Sequence, residues 1–340
     1  MKAAVVEGPE RLFVRDLPEP EIGPYEALCE VLYGATCSGT DSHIVQCNFP
    51  YLGAIPTILG HESIARVVEV GPKVRSFRVG DLVTRVGTTP VGDCSVTWGG
   101  FAELGVATDA AAAEADGLPR RDWHRGRVQR VLPPGTDPAA ATMIITWRET
   151  LSYANRIGIE AGKRVLVIGS GGNGLSYVAH AACAGCEAVA MIGSPVREDG
   201  ARRAGATAFF DYRDEGVRDA AAEACGGGFD IVIDAVGRVG AADLGLSLLA
   251  PGGVIGIYGI DDYGRMRLDP DAARGTFTVY RGGYDEPETH EQVVKRVAAG
   301  RLDASIWLDL DNPFELKDIG AAIEATRSRK VVKALVRIKG

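Results

Sequence analysis

The chain has no long apolar run, no excess of basic charge and no orderly cysteine framework, and each absence removes a class of function. A membrane-spanning helix needs about 18 or more consecutive apolar residues, and no stretch approaches that length. Acidic residues outnumber basic ones and the formal net charge is −8, whereas nucleic-acid binding relies on basic patches. One basic cluster exists, Arg120, Arg121, Arg125, Arg127 and Arg130, interrupted by Asp122 and Trp123. It reads as a solvated loop rather than an anion site. The seven cysteines are odd in number and dispersed, which points to reduced thiols and a cytoplasmic setting. The start carries one lysine, a short apolar stretch and then charge, unlike a signal peptide. The expected partner is a small molecule, with no nucleic acid and no membrane.

What is present suits a globular α/β protein. At 340 residues, 46% hydrophobic and 24% charged, the chain is long for a single core and predicts two domains. The first hundred or so residues read as β-rich, with short apolar or alternating stretches Lys2–Val6, Ala27–Tyr33, Ser63–Val70 and Asp81–Val86 between Gly/Pro turns. Residues 108–138 turn Ala-, Arg- and Pro-rich, as an insertion and linker. From about Ala139, helical and strand patterns alternate: helix Ala140–Ile157, strand Arg164–Ile168, helix Leu175–Ala184, strand Ala188–Ile192, helix Arg197–Ala204, then strands Ala208–Phe210, Phe229–Asp234 and Gly253–Tyr258. That alternation predicts a parallel sheet covered on both faces. The last stretch predicts helix Glu291–Ala299, a strand over Ala304–Leu310, helix Leu316–Ser328 and strand Val331–Ile338.

Gly169, Gly171 and Gly174 form G-x-G-x-x-G directly after a predicted strand and opening a helix. In that context the pattern predicts a dinucleotide site built from Gly169, Gly171, Gly172, Asn173 and Gly174, with the pyrophosphate at the helix N-terminus. An acid at the tip of the next strand would bind the ribose 2′-OH of NAD. Here the tip reads Gly193-Ser194-Pro195-Val196-Arg197: Gly193 leaves room, Ser194 can donate and Arg197 can pair with a 2′-phosphate. NADP(H) is therefore favoured, with NAD(H) kept open by Glu198 and Asp199.

Cys37 and the pair His61-Glu62 are the residue types that hold a catalytic zinc with one position left for water or substrate. Such an ion lowers the pKa of an alcohol so that hydride can leave. Taken singly, Cys37 reads as a buried thiol and His61 as a turn histidine. Together with Thr40-Asp41-x-His43, Gly60-His61-Glu62, Gly71, Gly80-Asp81-x-Val83, Trp98-Gly-Gly-Phe-Ala-Glu103, the glycine fingerprint and Pro251-Gly-Gly253, the chain resembles the zinc-containing medium-chain dehydrogenase/reductase family along essentially its whole length.

The resemblance implies a GroES-like β-rich catalytic domain of residues 1–138 and 287–340, plus a Rossmann doubly wound parallel-sheet domain of residues 139–286, with an active-site cleft between them. It implies a zinc-dependent alcohol dehydrogenase acting on a small alcohol or polyol. One catalytic zinc would be held by Cys37, His61 and Glu62, with Thr40 taking the alcohol proton and His43 relaying it. Thr150 would lie near the nicotinamide and Arg281 near the cofactor. Ser194 and Tyr212 match NADP-preferring secondary-alcohol dehydrogenases, although the Gly-Ser-Arg-Pro order of those enzymes is only partly kept. A homodimer or homotetramer is also implied, and the apolar strand Val254–Tyr258, near a sheet edge, is a candidate for pairing.

The chain departs from the family pattern at several points. Cys37-Ser-Gly-Thr40 has one residue more than usual, so Ser38 is an alternative to Thr40. The four-cysteine lobe of a structural zinc is reduced to Cys94, so a second zinc is not expected. The position of a fourth ligand falls near Ile144–Thr146, with Glu149 the nearest carboxylate. The glycine usually found three residues after Glu62 is Ala65. Cys183-Ala-Gly-Cys186 reads as structural, with Gly185 closing a helix. Tyr51, Trp98 and Trp147 are candidate pocket residues, and residues 108–130 a candidate border of the cleft or of an oligomer contact. Two competing readings are a zinc-free quinone or enone reductase of the same fold and a nucleotide-binding protein without catalysis.

Overall fold

The computed structural model describes residues 1–339, and the chain packs as two compact units. One is Met1–Ile145 with the chain from Trp307 onward, and the other is Thr146–Ile306. Both limits fall later in the sequence than the changes of pattern at 138 and 287.

The first unit holds two sheets. The larger runs in the order Phe314–Glu315, Leu335–Arg337, Glu26–Ala35, Glu62–Val70, Leu82–Thr84, and Leu104–Thr108 also pairs with Glu26–Ala35. The smaller runs Arg11–Asp16, Lys2–Gly8, Thr57–Ile58, Ser95–Val96. Glu26–Ala35 alternates as a half-buried strand should, with Ala27, Cys29 and Val31 fully buried. Its register decides where the site forms: Ala35 pairs with Glu62 on one side and with Leu335 on the other. The residues that follow Ala35, precede Leu335 and begin at His61 are thereby gathered at one end of the sheet.

The second unit is a six-stranded, wholly parallel sheet, ordered Ala208–Asp211, Ala188–Gly193, Arg164–Ile168, Phe229–Asp234, Leu249–Ile257, Thr278–Tyr280. This is the doubly wound order, with the switch point beside the central first strand. The central strands read as continuous apolar runs, and Val165, Leu166, Val167, Val232 and Ile233 are fully buried, as strands covered on both faces require.

Several elements differ from the pattern-based expectation. The helix over Ala140–Ile157 is two helices, Pro138–Ala141 and Met143–Ile157. Ala304–Leu310 is not a strand; only a 3₁₀ turn, Ala304–Ile306, forms there, although Trp307 and Leu308 are buried. The final strand shortens to Leu335–Arg337. Leu249–Ile257 lies next to the edge, and Thr278–Tyr280, which the pattern does not predict, pairs along it and takes the outer place. Residues 108–138 hold helices Ala110–Ala115 and Arg120–Trp123, with Trp123 buried and donating from its indole N–H to the Leu118 carbonyl at 3.0 Å. No helix among the described residues is long and apolar enough to cross a membrane.

Candidate active site and metal centre

Cys37, His61 and Glu62 each offer a ligand atom, and the three atoms lie within 4.8 Å of one another. The extra residue between Cys37 and Thr40 is absorbed by the turn before the helix Thr40–Val45. Gly60 sets the approach of His61 from the other side. Its φ is +101°, and a Cβ there would lie 2.6 Å from the Phe101 nitrogen, so no other residue fits.

Asp41, buried in the same helix, joins the two halves. One carboxylate oxygen lies 3.2 Å from His61 Nδ1, and the other accepts the Cys37 N–H at 2.8 Å. A carboxylate behind a histidine fixes its tautomer and turns the other nitrogen toward a metal. His61 Nε2 then sits 3.6 Å from Glu62 Oε1. Donors bonded to a tetrahedral zinc at about 2.0–2.3 Å stand about 3.3–3.8 Å apart, so this spacing suits the ion.

Without a metal, the buried charges of the cluster are tied to one another. Burial alone lowers an imidazole, yet the charge and hydrogen bond of Asp41 and the neighbouring Cys37 outweigh it and hold His61 well above its ordinary value. Glu62 is held by the buried Lys333, whose Nζ donates to both carboxylate oxygens at 2.7 and 2.6 Å and to the Thr36 carbonyl at 3.2 Å. Burial opposes the Lys333 ammonium too, but Glu62 and Cys37 raise it above the usual lysine value. A thiol, an imidazole and a carboxylate thus face one another within the reach of a single ion. These are the donor types of a zinc site, so the donor chemistry fits zinc.

The remaining expected residues fall around this cluster or elsewhere. Thr40 opens its helix and is half-buried, while Ser38 is exposed. His43 lies on the same helix, and its Nδ1 meets the Asn48 side-chain oxygen at 2.7 Å, which makes Nδ1 the donor in that contact. Trp98 lies 5.3 Å from the His61 ring and 6.0 Å from Phe49, which contacts the exposed Tyr51. The Arg85 guanidinium stacks on Trp98 at 5.8 Å. Thr146, Trp147 and Glu149 are buried in the part of helix Met143–Ile157 that belongs to the second unit. Among the described residues, the three-ligand group is Cys37, His61 and Glu62.

In the second unit the glycine turn is tightly built. A Cβ on Gly174 would lie 1.8 Å from the Gly169 carbonyl oxygen, whereas one on Gly171 would enter open space. Helix Gly172–Ala184 starts there and includes Asn173, presenting its N-terminal N–H groups to an anion. Ser170 accepts the Ser194 N–H at 2.9 Å, tying the turn to the tip of Ala188–Gly193. Asp234 fixes the neighbouring turn by accepting from the N–H groups of Val236 and Gly237 at 2.9 and 2.8 Å. These features fit a dinucleotide. Arg197 closes a 3₁₀ turn after Ser194, Tyr212 is exposed, and Arg281 donates to the Ile257 carbonyl at 2.8 Å. Thr150 donates to the Thr146 carbonyl at 2.7 Å and meets His180 Nε2 at 3.0 Å. Cys183 and Cys186 reach different backbone carbonyls, of Arg301 and Glu160, and Gly185 ends the helix with φ +79°.

Asp41, Asn48, Lys333 and Ser170 are the functional neighbours that sequence reasoning did not single out. Asp41 stands between Thr40 and His43, and Ser170 fills the first variable place of the glycine fingerprint. Lys333 had no local signal.

The chain matches two family models: "Alcohol dehydrogenase GroES-like domain" over residues 23–120 and "Zinc-binding dehydrogenase" over residues 172–297. It is 27% identical over 350 aligned positions to L-galactonate-5-dehydrogenase of Escherichia coli, covering 100% of this chain and 98% of the relative. It is 33% identical to L-threonine 3-dehydrogenase of Streptomyces avermitilis, covering 76% and 77%. In fold it is similar to a candidate zinc-binding dehydrogenase from Sinorhizobium meliloti solved with NADP bound, with TM-score 0.81, 24% identity and coverage of 99% and 98%. A GroES-like domain, a doubly wound dinucleotide fold and relatives of this kind place the chain in the zinc-type medium-chain alcohol dehydrogenase family.

Proposed function

We propose that the protein is a zinc-dependent oxidoreductase that moves a hydride between a small alcohol or polyol and NADP(H). The observation that carries this reading is the convergence of Cys37, His61 and Glu62 with Asp41 behind the histidine. When bound, zinc would polarise the alcohol oxygen and the nicotinamide would exchange the hydride. The chain's own residues do the rest. Asp41 orients His61 and the Cys37 backbone, Lys333 holds Glu62, and the Thr40 hydroxyl accepts the alcohol proton. His43, with Nδ1 committed to Asn48, receives it on Nε2. We assign the working form as a homodimer or homotetramer in the cytoplasm.

The test combines metal counting with oxidation of an alcohol and polyol panel, using NAD+ and NADP+ in parallel before and after chelation. The expected result is about one zinc per chain, turnover with NADP+, loss on chelation and recovery with added zinc. Dehydrogenase activity that survives in metal-free protein would sink the reading.

A further inference from the structure

We infer that Arg213, rather than Arg197, is the cation that reads the 2′-phosphate of the dinucleotide; this rests on the NADP reading above and deepens it. The register of the sheet sets Gly193 opposite Asp211, and the Tyr212 N–H donates to the Gly193 carbonyl at 3.1 Å. Asp211, Tyr212 and Arg213 therefore leave the sheet beside Ser194. The Ser194 N–H is itself bonded to Ser170 of the glycine turn. In a doubly wound sheet this strand tip meets the adenosine ribose, and a 2′-phosphate there calls for an arginine.

Arg213 has the geometry for it. Asp211 takes the Nε and Nη2 hydrogens, at 3.1 Å to one oxygen and 3.2 and 2.8 Å to the other. The guanidinium is held in one plane and Nη1 keeps both its hydrogens. The side chain is 61% exposed, so a phosphate reaches it without opening the fold, and Tyr212, 51% exposed, offers a ring next to it. Arg197 is less suited. It closes the Pro195–Arg197 turn and is followed at once by Glu198 and Asp199, whose charges oppose a phosphate. A guanidinium restrained by one carboxylate loses little freedom on binding a second anion. Asp211 exacts a cost as well, because its own charge opposes the incoming phosphate.

The experiment is calorimetric titration of the full chain with adenosine 2′,5′-bisphosphate and with AMP. The wild type should prefer the bisphosphate. Arg213→Ala should weaken the bisphosphate about tenfold or more while leaving AMP unchanged; Arg213→Lys should recover part of the loss, and Asp211→Asn should tighten the bisphosphate. Thermal unfolding checks that the variants remain folded. If Arg213→Ala keeps the preference and Arg197→Ala abolishes it, the inference fails and the NADP reading stands. If the wild type shows no preference, the NADP reading itself fails and takes the inference with it.

Discussion

Lys333 and Glu62 form a buried, two-point ion pair, with the ammonium 2.6 and 2.7 Å from the carboxylate oxygens and both side chains 2% exposed. Removing one partner strands the other charge in the interior. Lys333→Met should therefore lower the unfolding free energy of metal-free protein by about 3–5 kcal/mol, read from denaturant curves. Added zinc should restore part of the loss, because the ion then compensates Glu62. A variant as stable as the parent without metal would refute this account of the pair.

Asp41 is predicted to act through His61. Asp41→Asn keeps an acceptor but removes the charge, and loss of such a partner weakens metal binding by about 10–100-fold. Competition with a chromogenic chelator measures this. An unchanged zinc affinity would show that the 3.2 Å contact to Nδ1 does not tune the site.

Thr40 and Ser38 can be separated kinetically. Thr40→Val should cut kcat by about 10²–10⁴-fold, the usual worth of a positioned proton acceptor, while Ser38→Ala, at an exposed position, should leave it unchanged. Steady-state rates across pH decide between them, and the opposite ranking would transfer the role to Ser38.

His180 gives a pH signature. Burial, aided by the charge of Arg296, lowers it from 6.5 to about 3 against the opposing bond to the Trp147 carbonyl. The unfolded chain takes up a proton below about pH 6.5 that the folded chain refuses. This contribution to stability is therefore full above pH 6.5 and is lost as pH falls toward 3, at about 1.4 kcal/mol per unit. Between pH 7 and 5 the wild type should lose about 2 kcal/mol more than His180→Gln. Parallel pH dependences in unfolding curves would contradict it.

Two glycines should fail differently. Gly174→Ala forces a Cβ against the Gly169 carbonyl oxygen at 1.8 Å and should destabilise the second unit. Gly171→Ala meets no atom of the chain within 4 Å, so it should leave thermal unfolding unaltered and weaken NADPH binding, followed by nucleotide fluorescence. Equal effects on both readouts would remove the argument that Gly171 makes room for ligand.

Local signals explain what could be read without coordinates. Arg164–Ile168 and Phe229–Asp234 have the limits expected from sequence, because an apolar run bounded by charge and glycine carries its own ends. The Gly169–Gly174 turn was legible for the same reason. Cys37, His61 and Glu62 could be named as residue types, but their meeting depends on Ala35 pairing with Glu62, which spacing does not reveal. Thr278–Tyr280 escaped notice since three residues with two exposed side chains carry no apolar period. Ala304–Leu310 misled because burial of Trp307 and Leu308 imitates a strand. The positive φ of Arg85 and Trp98 left no mark in residue type.

The register that sets Leu335 against Ala35 also imposes an order of assembly. Glu62 and the lysine that neutralises it are separated by 271 positions, and the whole second unit is synthesised between them. On the ribosome, the Asp41 and Glu62 carboxylates emerge early, without the lysine that pairs with Glu62. The first unit cannot close around them until the chain beyond Trp307 is made. Nascent protein should thus hold its dinucleotide fold before its metal centre, and a polypeptide released short of Lys333 would leave Glu62 without its counter-ion.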